Sequence, residues 1–282
     1  MRRTVAAALT AAACVAAVTA PSYAAKPVLR YVAMGDSYSA ASGVLPPDPS
    51  APFDCLRSIR NYANVIAADT GAELTDVTCG AAETGHYFEA QYDNVPPQLD
   101  ALTKDTRLVT MTIGGNDSGV FINAIVSCGS AGASAAFQGS PCKDTYGSSF
   151  EDTIRTTTYP SLVRALAAVR ERAPKAQVAI LGYPWILPPA VGCVEKLPVA
   201  EGDVPYLRGV QATLNDAVRR AAAATGATYV DLSVASEGHD ACQPLGVRWV
   251  EPVLQSTNPV VVHPNALGEA EMAKLAMAAL GL

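Results

Sequence analysis

The sequence predicts an α/β fold in which one parallel, five-stranded sheet is covered by helices on both faces. Three observations predict it. Five short runs rich in apolar and β-favouring residues recur along the chain, at 28–34, 73–79, 107–113, 177–182 and 228–232. Helical apolar spacing fills much of the chain between and after them, at 57–70, 150–172, 204–224 and 264–280. Three of the strand runs end in small and polar residues: Gly35-Asp36-Ser37, Cys79-Gly80-Ala81 and Gly114-Gly115-Asn116-Asp117. Parallel strands bring such ends together at one edge of the sheet, where open α/β folds place their ligands.

The first 24 residues are expected to be removed before folding. Arg2 and Arg3 form a positive start, residues 5–18 are apolar and alanine-heavy, and Ser22 and Ala24 supply the small residues of an export cleavage site. Cleavage after Ala24 leaves a secreted chain of residues 25–282. A membrane anchor fits less well, because the segment is short and no other run approaches a spanning length. Lipid attachment at Cys14 is disfavoured by the apolar residues that continue past it. Without Arg2 and Arg3, 18 basic residues face 26 acidic ones. That balance excludes nucleic acid and an anionic membrane surface as expected partners.

Each element has its own signal. Residues 28–34 lead into Gly35, which can turn the chain sharply out of a strand. Pro46, Pro47, Pro49 and Pro52 mark an irregular excursion holding Cys55. Residues 57–70 read as a helix on Ile59, Tyr62, Ala63 and Ile66, stopped by Gly71. The strand at 73–79 and a short helix at 96–102 precede the strong strand at 107–113. A short helix and then a Gly/Ser/Ala-rich loop with Cys128 and Cys142 are expected next. Ile154, Leu162, Leu166 and Val169 space a helix over 150–172, followed by the strand at 177–182. Residues 184–203 are irregular around Cys193, and 204–224 form a long helix stopped by Gly226. After the strand at 228–232, a long loop runs over 233–262, and residues 264–280 close the chain as a helix with Pro264 in its first turn. No repeat, charge run or long linker divides the chain, so one domain is expected.

Removing Cys14 leaves six cysteines, an even count that reads as disulfides in an exported protein. Sequential pairing is expected, Cys55 with Cys79, Cys128 with Cys142 and Cys193 with Cys242, because each bond then staples one surface excursion. A zinc site fits poorly. There is no C-x-x-C, and His86, His239 and His263 lie far apart in sequence.

The strand ends suggest nucleophilic chemistry. Ser37 offers a hydroxyl and its own N–H, Gly80 a second N–H, and Asn116 a side-chain amide, which together could hold an oxyanion. Each also has a bland reading, as helix cap or turn former; their coincidence at three neighbouring strand ends favours the catalytic one. A base working near neutral pH should be histidine. His86 suits a surface role and His239 a loop-structuring one. His263 follows Val260-Val261-Val262 and precedes a helix start, so it is the expected base.

The ordered set Gly35-Asp36-Ser37-Tyr38, Gly80, Gly114-Gly115-Asn116-Asp117 and His263-Pro264-Asn265 resembles the GDSL/SGNH hydrolase superfamily, and within it secreted actinomycete esterases and lipases. The resemblance spans essentially all of residues 25–282. It implies a flavodoxin-like three-layer α/β/α sandwich with Ser37 as nucleophile and His263 as general base. It also implies an oxyanion hole from Ser37 N–H, Gly80 N–H and the Asn116 side chain. One position departs from the family pattern: Val260 stands where an aspartate is common, three residues before the histidine. The Val260 backbone carbonyl is the expected substitute for orienting His263. There is no G-x-S-x-G elbow of the α/β-hydrolase kind. The implied activity is hydrolysis of small-molecule or lipid acyl esters by a monomer that needs no cofactor or metal. The alternatives are a carbohydrate O-deacetylase using the same residues and a secreted binding protein that has lost catalysis. A flavodoxin-like cofactor carrier is weaker still, for want of both G-x-G-x-x-G and a P-loop.

Overall fold

The computed structural model describes Thr4 and residues 28–282. The expected export signal and Cys14 therefore lie outside the described residues, Thr4 apart. Five parallel strands form one sheet in the order β2-β1-β3-β4-β5. They are β1 (Arg30–Gly35), β2 (Glu73–Asp76), β3 (Leu108–Thr112), β4 (Gln177–Leu181) and β5 (Thr228–Val230).

Strand periodicity builds the three layers. Val32 and Met34 of β1, Val109 and Met111 of β3, and Val178 and Ile180 of β4 point to one face. They are covered there by α6 (Tyr159–Arg172) and α7 (Val204–Thr225), through side chains such as Leu162, Leu166 and Val218. Tyr31 and Ala33 of β1, with Leu108, Ala179 and Val230, point to the other face. That side is closed by Tyr62 and Ile66 of α2 (Tyr62–Thr70) and by Met272 and Ala276 of α8 (Ala266–Leu280). The expected α/β/α sandwich is the observed fold.

The connections run from β1 to β2 on one side and on to β3 on the other, so the chain reverses direction across the sheet beside β1. A crevice opens at such a switch point. Ser37 follows β1 and Asn116 follows β3, so the strand order itself brings the two together.

Several boundaries differ from the sequence expectation. The second helix begins at Tyr62, because the Asn61 side chain accepts the Asn64 N–H and caps it there. The last helix starts at Ala266, because Asn265 accepts from Leu267 and Gly268 N–H; Pro264 lies outside it. The largest difference follows Asn116. Where a short helix and a loop are expected, α3 (Val120–Ser134) runs for 15 residues and carries Cys128 within it. Val120, Ala124, Cys128 and Gly132 are buried at four-residue spacing, a stripe against the core that outweighs the weak helical preference of the segment's glycines and serines. Cys142 lies in α4 (Pro141–Tyr146). The helix expected over 150–172 is present but contains a π turn over Ile154–Thr158.

All three expected disulfides form: Cys55–Cys79, Cys128–Cys142 and Cys193–Cys242, with Cα separations of 4.1, 4.9 and 5.6 Å. Among the described residues no helix is long and apolar enough to cross a membrane.

Candidate active site

Ser37 opens α1 (Ser37–Ala40), a single helical turn directly after β1. Gly35 makes the strand exit possible. Its φ is +117°, and a Cβ there would lie 2.2 Å from the Thr112 carbonyl oxygen. The Gln98 side chain clamps the same peptide, accepting from Gly35 N–H at 2.7 Å and donating to its carbonyl at 3.0 Å. Asp36 caps the turn. Its carboxylate accepts from Tyr38 N–H at 3.0 Å, Thr112 Oγ1 at 2.6 Å and Tyr183 Oη at 2.5 Å. Tyr183 Oη in turn accepts from Gly115 N–H at 2.9 Å. One buried carboxylate thus joins the ends of β1 and β3 to the residue that leaves β4. Burial pushes the Asp36 carboxyl up to about 6, opposed by these hydrogen bonds.

His263 Nε2 lies 2.7 Å from Ser37 Oγ, and its Nδ1 lies 2.7 Å from the Val261 carbonyl oxygen. A carbonyl can only accept, so Nδ1 carries the proton and Nε2 is the acceptor for the Ser37 hydroxyl. Burial holds the imidazole below its ordinary value, and the bond to Val261 partly opposes this. The base is therefore neutral, and so able to accept a proton, to lower pH than a free histidine. The acceptor corrects the sequence expectation: it belongs to Val261 and not to Val260. Val262 adopts φ +59°, which redirects the chain between the carbonyl and the ring. Such a conformation costs a β-branched residue of order 1–3 kcal/mol, so it needs support. Glu251 O accepts from Val262 N–H at 3.0 Å, and Tyr38 Oη donates to the Val262 carbonyl at 2.7 Å.

Three carboxylates that precede His263 in the chain, Asp231, Asp240 and Glu251, are engaged elsewhere. Asp231 accepts from Ser233, and Asp240 accepts from Cys242 N–H. Glu251 is buried in an ion pair with Arg248, at 3.1 and 2.7 Å. It also accepts from Thr257 N–H and Asn265 Nδ2. Through its own backbone it brackets the base, donating to His263 O at 2.9 Å and accepting from Val262 N–H. Sequence reasoning missed this anchor. The only signal was an Arg-x-x-Glu spacing, which marks countless surface pairs.

The expected oxyanion donors separate. Asn116 Nδ2 donates one hydrogen to the Ala82 carbonyl at 3.0 Å, which fixes the amide and leaves its second hydrogen. Ser37 N–H sits in the first turn of α1, where helix amides lack intrahelical partners. Gly80 N–H instead donates to the Cys55 carbonyl at 2.8 Å. The Cys55–Cys79 disulfide draws that turn against the end of the second strand segment, so Gly80 meets an acceptor before any substrate arrives. Asp117 ties the segments that follow β3 and β2 together by accepting from Thr84 N–H and Oγ1 at 2.9 and 2.7 Å. The other histidines lie apart from this cluster. His86 Nδ1 accepts from Glu83 N–H, and His239 stacks on Trp249.

A serine hydroxyl bonded to a correctly tautomerised histidine, with amide donors at a topological switch point, defines a serine hydrolase of the α/β/α type. Comparison with known proteins narrows the class. The family model described as GDSL-like lipase/acylhydrolase matches residues 33–270. Lipase 2 of Streptomyces coelicolor is 62% identical over 260 residues, covering 92% of this chain and 88% of that lipase. The crystal structure of an extracellular lipase from Streptomyces rimosus superposes with a TM-score of 0.74 at 29% identity, covering 89% of this chain and 100% of that one. Phospholipase A1 from Streptomyces albidoflavus gives 0.73 at 28% identity, over 89% of this chain and 99% of that structure. The chain belongs to the GDSL-like lipase/acylhydrolase family and is a carboxylic ester hydrolase.

Proposed function

We propose that residues 25–282 form a single catalytic domain, secreted after cleavage near Ala24, that hydrolyses acyl esters through an acyl-enzyme on Ser37. The observation that carries this reading is the 2.7 Å contact between Ser37 Oγ and a His263 whose tautomer the Val261 carbonyl fixes. Ser37 Oγ attacks the ester carbonyl while His263 Nε2 takes its proton. The negative charge that develops on the carbonyl oxygen is received by Ser37 N–H and the second Asn116 amide hydrogen. His263 then returns the proton to the departing alcohol, and water resolves the acyl-enzyme by the same route in reverse. A neutral carbonyl at Nδ1 fixes the ring but stabilises imidazolium less than a carboxylate would. That similar proteins include a lipase and a phospholipase A1 supports a lipid ester as substrate. The chain supplies nucleophile, base and donors by itself, which supports action as a monomer.

The test is Ser37→Ala. Ester turnover should fall by about 10⁴-fold or more, with circular dichroism unchanged. An organophosphate should label Ser37 in the intact enzyme, as read by peptide mass spectrometry. Full activity in the variant, or an adduct on another serine, would sink the assignment.

A further inference from the structure

An apolar cavity of about 170 Å³ lies between α3 and α7, beside residues that flank Asn116 and His263 in the chain. Its near end is bounded by Gly115 and Val262, the chain neighbours of Asn116 and His263, and by Phe121, whose ring meets the His263 ring edge-on at 6.1 Å. Eight residues along α3 from Phe121, Gly129 also lines the cavity, together with Pro198. Ile125, Leu207 and Val210 are among the side chains along its walls. The one amide there, Gln211, is already committed: Nε2 donates to the Pro184 carbonyl at 2.7 Å, and Oε1 accepts from Ile186 N–H at 3.2 Å. The wall is overwhelmingly apolar, which suits a hydrocarbon better than a sugar, and an acetyl group would leave most of the space unfilled.

Resting on the ester-hydrolase reading of Ser37, we propose that this cavity receives the acyl chain and that Gly129 sets how long a chain is accepted. The length follows from helix geometry. Phe121 and Gly129 are eight residues apart on α3, or about 12 Å at 1.5 Å per residue. On α7, Leu207 and Leu214 bound a span of roughly 10 Å by the same rise. An extended acyl chain advances roughly 1.25 Å per carbon, from C–C bonds of about 1.5 Å at near-tetrahedral angles, so about eight to ten carbons fit. Gly129 is the stop that can be moved. A Cβ placed there would meet only the Pro198 carbonyl oxygen, at 3.7 Å, an ordinary contact. A larger side chain must then project into the cavity.

The test is a series of p-nitrophenyl esters from acetyl to hexadecanoyl. For the intact enzyme kcat/KM should climb by up to roughly fourfold for each methylene seated. It should level or fall beyond about ten carbons. Gly129→Phe should lower the decanoyl-to-butyryl ratio of kcat/KM by about tenfold or more, and Gly129→Ala should shift it less in the same direction. A flat chain-length profile, or an unchanged ratio in a folded Gly129→Phe protein, would overturn the proposal. Calorimetry on Ser37→Ala keeps the test decisive if the Phe variant does not fold. Decanoate should bind that protein about tenfold or more tighter than butyrate, and equal affinities would overturn the proposal. The same titration separates the two readings: an enzyme with no Ser37-dependent turnover fails the hydrolase reading, while decanoate binding still judges the cavity.

Discussion

The proposed nucleophile, Ser37, and its proposed base, His263, are held by two regions built on different physics. Ser37 and Asn116 sit at the ends of β1 and β3, central strands whose ladder fixes their separation to the register Gly35 opposite Thr112. Asp36 then locks that corner through Thr112 and Tyr183. His263 comes from a loop that follows the edge strand β5 and has no ladder to hold it beyond the isolated Val250–Pro264 bridge. Its position depends on a buried ion pair, Arg248–Glu251, and on the backbone bonds Glu251 makes on either side of the imidazole. Regular structure can aim a side chain with local hydrogen bonds alone. An irregular segment needs a buried polar anchor, and removing one half of such an anchor strands the other half in a place without water. Tyr38 bridges the regions: its ring lies 5.1 Å from that of His263 and its hydroxyl donates to Val262 O.

The contrast predicts that damage to the anchor shows mainly as lost stability, and damage to the sheet end mainly as lost turnover. The largest effect should come from Glu251→Ala, which leaves the Arg248 guanidinium buried and unpaired. Unfolding free energy should drop by about 3–5 kcal/mol in urea denaturation. A loss under 1 kcal/mol would show that the loop is held by something other than this pair. Asn116→Ala tests the opposite region. We expect kcat lower by about 10²–10³-fold with KM little changed and Tm close to that of the parent. A variant with near-normal kcat would return Asn116 to a turn former.

A smaller effect tests the corner lock through pH. The Asp36 carboxyl titrates near 6 when folded, above its range in an unfolded chain. Its protonated form is therefore the one folding favours. The stability it contributes is complete below about pH 4 and is lost as pH rises through about 6, by an amount on the order of 2–3 kcal/mol. Asp36→Asn cannot titrate. The stability difference between variant and parent should accordingly move toward the variant between pH 4 and 7, as read from Tm at a series of pH values. A difference that stays constant over that range would mean Asp36 is not raised. The smallest effects should come from Asp231→Asn and Asp240→Asn. Both carboxylates serve local turns, so each change should leave kcat within a few-fold. If either approached the roughly 10⁴-fold loss that follows amidation of a triad carboxylate, the Val261 carbonyl would not be the partner of His263.

The sheet, the helices that flank it at 57–70, 150–172, 204–224 and 264–280, the three disulfides and the Ser37–His263 pair were legible in the sequence, because each left a local pattern. Strands alternate with helices and end in Gly-Asp-Ser or Gly-Gly-Asn-Asp, and the cysteines bracket irregular excursions. What was not legible has one physical character. The sequence reads 120–134 as a short helix giving way to a loop because its glycines and serines are weak helix formers; burial of a four-residue stripe carries the helix to 15 residues. The Gly80 N–H looked free because nothing in sequence shows that Cys55 O would be drawn onto it.

By itself, then, the sequence determined the participants of the proposed reaction: a serine at a strand exit, a histidine at a helix start and a side-chain amide between them. Side-chain chemistry and strand periodicity are local, and local facts survive in the order of residues. Only the tertiary structure decided how those participants are oriented and what they are presented with. The acceptor is Val261 and not Val260 because a left-handed Val262 turns the chain there. The cavity exists because α3 and α7, about 70 residues apart in sequence at their nearest ends, face it from two sides. Orientation and empty space are relations among distant atoms, and such relations are set by packing.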